Sequence, residues 1–412
     1  MRNSILLIAL SLTTSVMTAQ QNQVETDSTK TQTLDEVLVQ SVRVKPNAPI
    51  THSNVTNAQL EPRNLGQDLP ILLNYLPSVV TTSDAGAGIG YTGIRVRGVS
   101  PLSTNITING IPYTDAESLG TFWVNLPDFS SSVESLQLQR GVGTSTNGSG
   151  AFGASINILT DASSKKSSAE ISNTFGSYNT RKHTVKFSTG KLNDVFEVAG
   201  RLSQIKSDGY VDRAFSDLKS YFLQGSYNKN GTLIKALAFG GHERTYQSWF
   251  GLTQEEIDQN RRQNPYTYEN EIDNYKQDHY QLHWNQKIDQ NWSTNIGLNY
   301  TFGRGYFEQF KSDDDVSTYG GIVEATAIDF YGTAVTDLIR RRWLDNDYYV
   351  VNATAHYRDS ELDLTFGGSY STYHGDHFGE VIWAKQFADN ASIRDRYYFG
   401  NGKKTDFSAF AK

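Results

Sequence analysis

The second half of the chain alternates apolar and polar residues in segments of about ten. In one segment Phe196 and Val198 share an apolar face, while Glu197 and Arg201 share the opposite, charged face. A period of two predicts β-strands, and strands with one apolar and one charged face are typical of a transmembrane β-barrel. Equivalent segments occur at residues 221–227, 280–284, 292–300, 349–357 and 362–370.

Short turns and long polar loops alternate between these segments. Outer-membrane barrels show this asymmetry, with short periplasmic turns and long extracellular loops. Trp284, Trp292 and Tyr300 are expected near strand ends, where an aromatic girdle would lie. A soluble β-sandwich stays open as an alternative, although its loops would rarely alternate so regularly. The predicted turns are 190–194, 228–231, 288–291 and 359–360, and the predicted long loops are roughly 246–274, 305–346 and 375–395.

Residues 55–162 predict a small α+β domain ahead of these strands. A short amphipathic helix is expected from Asp68 and ends at Pro77. Asn109-Gly110 is a strong signal for a hairpin turn, with a return through Ile111 to Tyr113. Strands are predicted at 79–82, 94–98, 105–108, 133–141 and 154–160.

The N-terminus predicts export followed by a tether. Residues 1–19 carry Arg2 and a short apolar run, which indicates a secretory signal cleaved near Ala19, with a buried N-terminal helix as the alternative. Residues 20–54 are polar and lack periodicity apart from one β-prone run. Such a run can add itself as a strand to another protein, or it is the first strand of the following domain. The run is Leu34, Asp35, Glu36, Val37, Leu38, Val39 and Gln40.

Composition narrows the protein class. The formal charge of −7 argues against non-specific binding of nucleic acid, which needs a basic surface. With no cysteine, disulfides, thiolate metal sites and a cysteine nucleophile are excluded. Aromatic residues at 12% are too frequent for disorder, and hydrophobic residues at 37% are too few for an α-helical membrane protein. A membrane location would therefore require a β-barrel.

Four motifs suggest other chemistry, but each has a simpler explanation. Gly88–Gly93 spells GxGxxG, yet a strand-like segment follows it, whereas a dinucleotide site requires a helix. His374–His377 could offer metal ligands, Arg340–Arg342 could attract an anion, and Asp313–Asp315 could bind calcium. All three are better explained as solvated loop residues. The sequence thus predicts no enzyme, no metal site and no cofactor.

Three motifs of the 55–162 domain resemble the plug domain of TonB-dependent outer-membrane receptors. They are Gly93–Gly98, Ile108–Pro112 and Leu136–Gly141. The family usually has an RG strand, an IDGVP turn and a VEVIRGP strand; here Asn109 replaces the usual Asp and Val142 the usual Pro. Residues 34–40 are similar to the TonB box that precedes such plugs. Four motifs in this order behind a signal peptide make the resemblance specific.

The resemblance implies an α+β plug domain followed by an antiparallel transmembrane β-barrel, residues 163–412. The barrel would be of the 22-stranded type, of which only about ten strands fit into this chain. The implied function is energy-coupled uptake of a scarce, bulky nutrient across the outer membrane. The expected partners are the TonB complex of the inner membrane, outer-membrane lipid and a small-molecule nutrient.

The resemblance also implies roles for plug residues. Arg95, Arg97 and Arg140 would meet barrel carboxylates and lock the plug in place, since an unpaired buried charge costs several kcal/mol. Gly98, Gly110 and Gly141 would be turn glycines. The ligand candidates at the plug apex are Tyr91, Tyr113, Asp115, Glu117, Phe122 and Trp123.

Several ligands and functions stay open at this point. An iron chelate, haem or cobalamin is favoured over a carbohydrate, because carbohydrate-type receptors often carry an N-terminal carboxypeptidase-like domain that is not found here. A passive porin or adhesin is disfavoured because neither needs a plug or a TonB box. A signalling transducer would need an extra domain in the short segment before Leu34.

We expect the reading frame to continue beyond Lys412. An open sheet of ten strands would leave two unpaired backbone edges in lipid, and a closed ten-stranded barrel would be too narrow for the plug. The 412-residue chain expressed alone should therefore neither insert stably nor transport. The measurement is gel migration with and without heating, and heat-modifiable migration of this chain would contradict the expectation.

Overall fold

A computed structural model describes residues 43–44, 49–143, 151–160 and 166–412. The predicted signal peptide and the segment Leu34–Gln40 lie outside the described residues. The described chain divides into an α+β plug domain and a long antiparallel sheet, here called the barrel sheet. This arrangement confirms the predicted fold class.

The plug domain contains a five-stranded mixed sheet in the order β1-β6-β7-β4-β5 and a separate pair, β2 and β3. β4 and β7 are parallel, and the other neighbours are antiparallel. β6 and β7 have the predicted positions. The strands are β1 (His52–Thr56), β2 (Val79–Ser83), β3 (Thr92–Val96), β4 (Thr104–Ile108), β5 (Ile111–Pro112), β6 (Val133–Arg140) and β7 (Ala154–Thr160).

The helices of the described residues are short. The helix expected from Asp68 to Pro77 ends at Leu72, because Asn74 and Leu76 donate to carbonyls three residues back and so tighten the chain into turns. No helix in the described ranges is long and apolar enough to cross a membrane. The α-helices are Asn57–Leu60, Leu69–Leu72 and Gln254–Gln259, and the 3₁₀ turns are Glu61–Arg63, Pro101–Ser103, Trp123–Asn125, Phe129–Ser132 and Val316–Tyr319.

The plug core lies on one face of the five-stranded sheet and continues into the barrel sheet. Ile156 and Ile158 of β7 are fully buried, as are Leu136 and Leu138 of the neighbouring β6. Burying one such side chain contributes about 1.5–3 kcal/mol. The same apolar cluster includes barrel residues Phe222, Leu237 and Phe239, so the plug folds against the barrel wall.

The barrel sheet has ten strands, each antiparallel to the next in sequence, which agrees with the predicted number. A further short strand, β15 (Ala327–Ile328), pairs with β16. The ten are β8 (Ser168–Gly176), β9 (Thr180–Ser188), β10 (Phe196–Ser207), β11 (Ser216–Lys229), β12 (Thr232–Tyr246), β13 (Ile272–Lys287), β14 (Trp292–Asp315), β16 (Ala334–Arg358), β17 (Asp363–Ala384) and β18 (Arg396–Ala411).

Aromatic residues on the outer face form two levels. Tyr300 stacks on Tyr349 at 4.8 Å between ring centroids, and Trp292 contacts Tyr357 at 5.1 Å. The two levels are eight residues apart on β14, which is about 26 Å along the strand at about 3.3 Å per residue, or about 20 Å along the barrel axis at a tilt of about 40°. An apolar band of roughly 25 Å between aromatic girdles is typical of outer-membrane barrels.

The strands extend further than predicted on the side of the long loops. β14 continues to Asp315, so Tyr300 does not lie near a strand end. The loops expected at 305–346 and 375–395 shrink to 316–333 and 385–395. Glu308 and Arg341 both fall in the predicted loop 305–346, but they pair across β14 and β16 at 2.8 Å. The short turn at 288–291 is confirmed.

The hairpin turn between β4 and β5 shows why asparagine replaces the family's aspartate. Asn109 and Gly110 have φ values of 53° and 78°, as a two-residue hairpin turn requires. The Asn109 amide nitrogen donates to Thr160 Oγ1 at 3.1 Å and to barrel Gln281 Oε1 at 3.3 Å. A carboxylate could not donate these bonds.

We predict that Asn109→Asp lowers the free energy of unfolding by about 1–3 kcal/mol, because the variant buries a charge and loses two donors. Asn193→Asp is the matched control, since Asn193 also has a positive φ but is exposed in the β9–β10 turn. Urea unfolding in detergent is the measurement. Equal stability of the two variants would contradict the proposed role of Asn109.

Candidate functional site

A cavity of about 520 Å³ lies where the plug apex meets the inner wall of the barrel sheet. This volume is in the range of small-molecule sites. Loops of the plug form its floor, and strands from β12 to β17 form its wall. We call it the apex cavity.

The loop after β5 is held in one shape by Asp115. Its carboxylate accepts hydrogen bonds from the backbone N–H groups of Glu117 and Ser118 and from the Ser118 hydroxyl, at 2.6–3.1 Å. The Asp115 carboxylate thereby finds its hydrogen-bond donors inside its own loop. The turn directs the Glu117 and Phe122 side chains to the apex cavity.

Five of the six predicted ligand candidates line the apex cavity, namely Tyr91, Tyr113, Asp115, Glu117 and Phe122. Trp123 does not. It is 3% exposed and packs in the plug core, so the expectation for this residue is corrected. Phe122 is extended and directly precedes the 3₁₀ turn that begins at Trp123, and the two neighbouring side chains differ in exposure, 41% for Phe122 and 3% for Trp123.

The sequence motifs did not identify the barrel residues of the apex cavity. Finding them requires the register between strands, which decides the inward positions that lie at the same height. Only Arg342 of the three neighbouring arginines reaches the cavity, since Arg341 pairs with Glu308 at 2.8 Å. The missed charged and aromatic residues are Glu243, Trp249, Asp273, Tyr275, Tyr306, Phe307, Tyr373 and His377.

Aromatic rings dominate the cavity wall. Tyr91 meets Trp249 edge to face with centroids 5.5 Å apart, and Trp249 meets Phe307 in the same way at 5.7 Å. Such arrangements are favourable beyond the area that they bury. They fix the rings in place and form a rigid, largely apolar wall.

Hydrogen bonds connect the plug apex to β17 and β18, the last strands of the barrel sheet. Glu117 Oε2 lies 2.7 Å from His377 Nε2 and accepts from the Tyr373 hydroxyl at 2.9 Å. Lys404 Nζ donates to the carbonyl of Ala116 at 2.6 Å. The loop that lines the cavity is therefore held by both β17 and β18.

Two carboxyl groups of the barrel wall, Asp273 and Glu243, lie close to Tyr91. Tyr91 donates to Asp273 through its hydroxyl, and burial together with the carboxylates of Asp273 and Glu243 raises the pKa of Tyr91 well above its ordinary value. Tyr91 is thus a donor at neutral pH. Burial raises the pKa of Asp68 to about 8, despite hydrogen bonds from Thr92 and Gly90, so this plug carboxyl is largely neutral.

The three predicted lock arginines do not meet barrel carboxylates within the described part of the chain. Arg95 and Arg97 are exposed. Arg140 is buried inside the plug and donates to the carbonyl of Pro77 and the hydroxyl of Ser53, both at 3.0 Å. The predicted turn glycines Gly98, Gly110 and Gly141 all have positive φ, between 75° and 87°.

The ionic contact between plug and barrel is the reverse of the predicted one, with the carboxylate on the plug and the cations on the barrel. Asp128 of the plug lies 2.7 Å from Lys182 Nζ and 3.3 Å from Arg201 Nη1, on β9 and β10. Thr184 and Ser203 of the same two strands also donate to its Oδ2 atom. All five side chains are buried.

Plug groups complete this Asp128 cluster. Asn64 and Ser131 donate to Asp128 Oδ1 at 3.0 and 2.6 Å. Lys186 Nζ donates to the carbonyl of Ser131 at 3.0 Å. Burial opposes the charge of Asp128, but Arg201 and Lys182 outweigh it and hold the pKa of this carboxyl well below its usual range.

The other candidate motifs are part of the structural framework. Gly88 and Gly90 have positive φ, and the segment leads into strand β3, whereas a dinucleotide motif opens a helix. The segment His374–His377 lies inside β17, not in a loop, and so do Arg340–Arg342 inside β16. Among the described residues no group of three or more His, Asp or Glu side chains is arranged to hold a metal.

Comparison with known proteins identifies the plug. Residues 44–155 match the family model described as the TonB-dependent Receptor Plug Domain. A curated relative, the Probable TonB-dependent siderophore receptor PirA of Acinetobacter baumannii, is 25% identical over 237 residues, which are 54% of this chain and 29% of that protein. The resemblance found in the motifs is confirmed.

Solved structures share the fold. The open form of the ferric-catecholate import receptor Fiu from E. coli K12 aligns with a TM-score of 0.65 and 14% identity, covering 88% of this chain and 57% of that one. The copper transporter OprC aligns with a TM-score of 0.65 and 14% identity, covering 87% and 52%. The chain thus spans about half the length of these receptors.

We predict that Asp128→Asn destabilises the folded protein by about 3–5 kcal/mol, because Lys182 and Arg201 stay buried without a counter-charge. Glu61→Gln is the control, since Glu61 is an exposed plug carboxylate. Because the pKa of Asp128 is lowered on folding, its contribution is present above about pH 4 and is lost as the pH falls further. Unfolding measured against pH would contradict this if the wild-type and variant curves stayed parallel from pH 7 to pH 3.

Proposed function

We propose that this chain, which carries the plug domain and barrel fold of TonB-dependent receptors, takes up an iron chelate across the outer membrane. The apex cavity carries the proposal, because plug and barrel together form a site of ligand size lined by aromatic rings. The similarity to a siderophore receptor supports iron as the cargo. The inner-membrane TonB complex would supply the energy.

The position of the cavity suits coupled transport. A ligand there would touch Glu117 and Phe122 of the plug on one side and Trp249 and Tyr373 of the barrel on the other. Any movement of the plug apex would change the contacts that the ligand makes on the plug side. Bound cargo and plug position are thereby linked, as differential binding to two states requires.

The proposed coupling element is the segment Leu34–Gln40 as TonB box, on the tether 20–54. Export through the signal 1–19 and location in the outer membrane belong to the same proposal, with a plug at 55–162 and a barrel from 163. The order of these segments supports it. A tether on the plug's N-terminal side provides reach toward a partner in the periplasm.

The test is a proline in the proposed TonB box of the receptor, made in cells that lack other iron receptors. Val37→Pro removes a backbone donor and blocks strand addition. We expect uptake of radiolabelled ferric chelates to stop while their binding to de-energised cells is unchanged. The measurement compares uptake and binding for a trihydroxamate, a tricatecholate and ferric citrate.

Val24→Pro is the matched control, since it places the same substitution in the polar part of the tether. This variant should take up iron at the wild-type rate. Normal uptake by Val37→Pro would exclude the TonB-box assignment. Binding of none of the three chelates would argue against iron as the cargo.

A further inference from the structure

We infer that the apex cavity selects a ferric chelate that carries a cationic amine and rejects polyanionic chelates. This inference rests on the proposed function and names the class of its substrate. It follows from one buried and one half-buried carboxyl group, one unsatisfied amide oxygen and the absence of a counter-charge for the two carboxyl groups among the described residues.

The first observation is a pair of carboxyl groups in the lining of the cavity, Glu243 and Asp273. Glu243 is 1% exposed, and the hydroxyl of Thr245 donates to it at 3.2 Å. Asp273 accepts the hydroxyl of Tyr91. Within the described ranges neither carboxylate forms an ion pair. A buried carboxyl group without a counter-charge favours its neutral form, so a cationic ligand group would stabilise the ionised form and would itself be held there.

The second observation is an amide oxygen that lacks a donor. Asn125 lines the apex cavity from the plug side and is 7% exposed. Its Oδ1 atom is buried without a hydrogen-bond partner. A buried acceptor left unpaired is unfavourable, and a donor on the ligand would remove that cost. An ammonium group has three donors and no acceptor, which matches two carboxylates and one amide oxygen.

The basic side chains of the cavity lining contact other groups. His377 lies 2.7 Å from Glu117 Oε2 at the plug apex. Arg342 lies over the Phe307 ring at 5.5 Å and donates to the Tyr398 hydroxyl at 3.3 Å. Neither has a salt bridge or hydrogen bond with Glu243 or Asp273 in the described chain. A trianionic complex would therefore find no cation bonded to Glu243 or Asp273 and would be repelled by their ionised forms.

The aromatic wall adds attraction for the same ligand class. Tyr91 and Trp249 are in edge-to-face contact at the floor, and their π faces can take a cation or an apolar chain. Removal from water strengthens such contacts. Charge and wall thus favour an amine on an apolar body.

The experiment uses two probes that differ only at one amine. Ferrioxamine B is a trihydroxamate ferric complex with a free terminal ammonium, and its N-acetyl derivative is neutral at that position. A ferric tricatecholate is the anionic probe. In cells that make the receptor but no other iron receptor, we expect binding of the ammonium form to be about tenfold or more tighter than that of the acetylated form.

Two substitutions that replace a carboxyl group by an amide of similar size locate the effect. Glu243→Gln and Asp273→Asn should each reduce the preference for the ammonium form toward equal binding, because each removes one negative charge at nearly constant size. Asp389→Asn is the matched control, since Asp389 is an exposed loop carboxylate outside the cavity lining, and it should keep the full preference. The measured quantity is the ratio of the affinities for the ammonium and acetylated forms, so a lower receptor abundance would not imitate the result.

The outcomes separate this inference from the proposed function. Uptake of the tricatecholate in preference to both hydroxamates would overturn the inference and leave iron uptake intact. Equal binding of the ammonium and acetylated forms to the wild type would also overturn it, and would mean that the carboxylates are protonated or purely structural. If none of the chelates binds or enters, the proposed function itself is contradicted, and the inference that rests on it falls with it.

Discussion

The structure depends on one constraint, which is that charge buried between plug and barrel must be compensated. Asp128 meets it with six donors, among them Lys182 and Arg201 of the barrel and Asn64 and Ser131 of the plug. Leaving either side unpaired would cost several kcal/mol. The cluster therefore fixes where the plug can sit, and the rest of the interface follows from that position.

The plug position in turn creates the apex cavity. With the Asp128 cluster holding one side of the plug and the Glu117–His377 contact holding the other, the apex loop meets β17 at a defined height. Tyr91 and Trp249 then come into contact, although they lie in separate parts of the chain. A ligand site arises at a junction that neither part could form alone.

The sequence predicted local structure better than long-range contacts. Val133–Arg140 and Ala154–Thr160 agree with their strands, because an alternating pattern is a local signal. Asp128 and Glu243 could not be identified, since their roles depend on the docking of the plug against particular strands. The prediction for Trp123 was wrong for a related reason. The local backbone at the 3₁₀ turn, and not the alternating pattern, decides which of the two adjacent aromatic residues faces the cavity.

The contrast between two buried carboxylates points to where binding takes place. Asp128 is saturated by donors from both parts of the protein, whereas Glu243 accepts the hydroxyl of Thr245 and has no ion pair among the described residues. The protein can thus compensate a buried charge fully where the contact is structural. A buried carboxyl group left without a counter-charge beside an open cavity is the exception, and a cation carried by the ligand would stabilise its ionised form. Incomplete compensation at this floor is therefore an argument for selectivity, not for a packing defect.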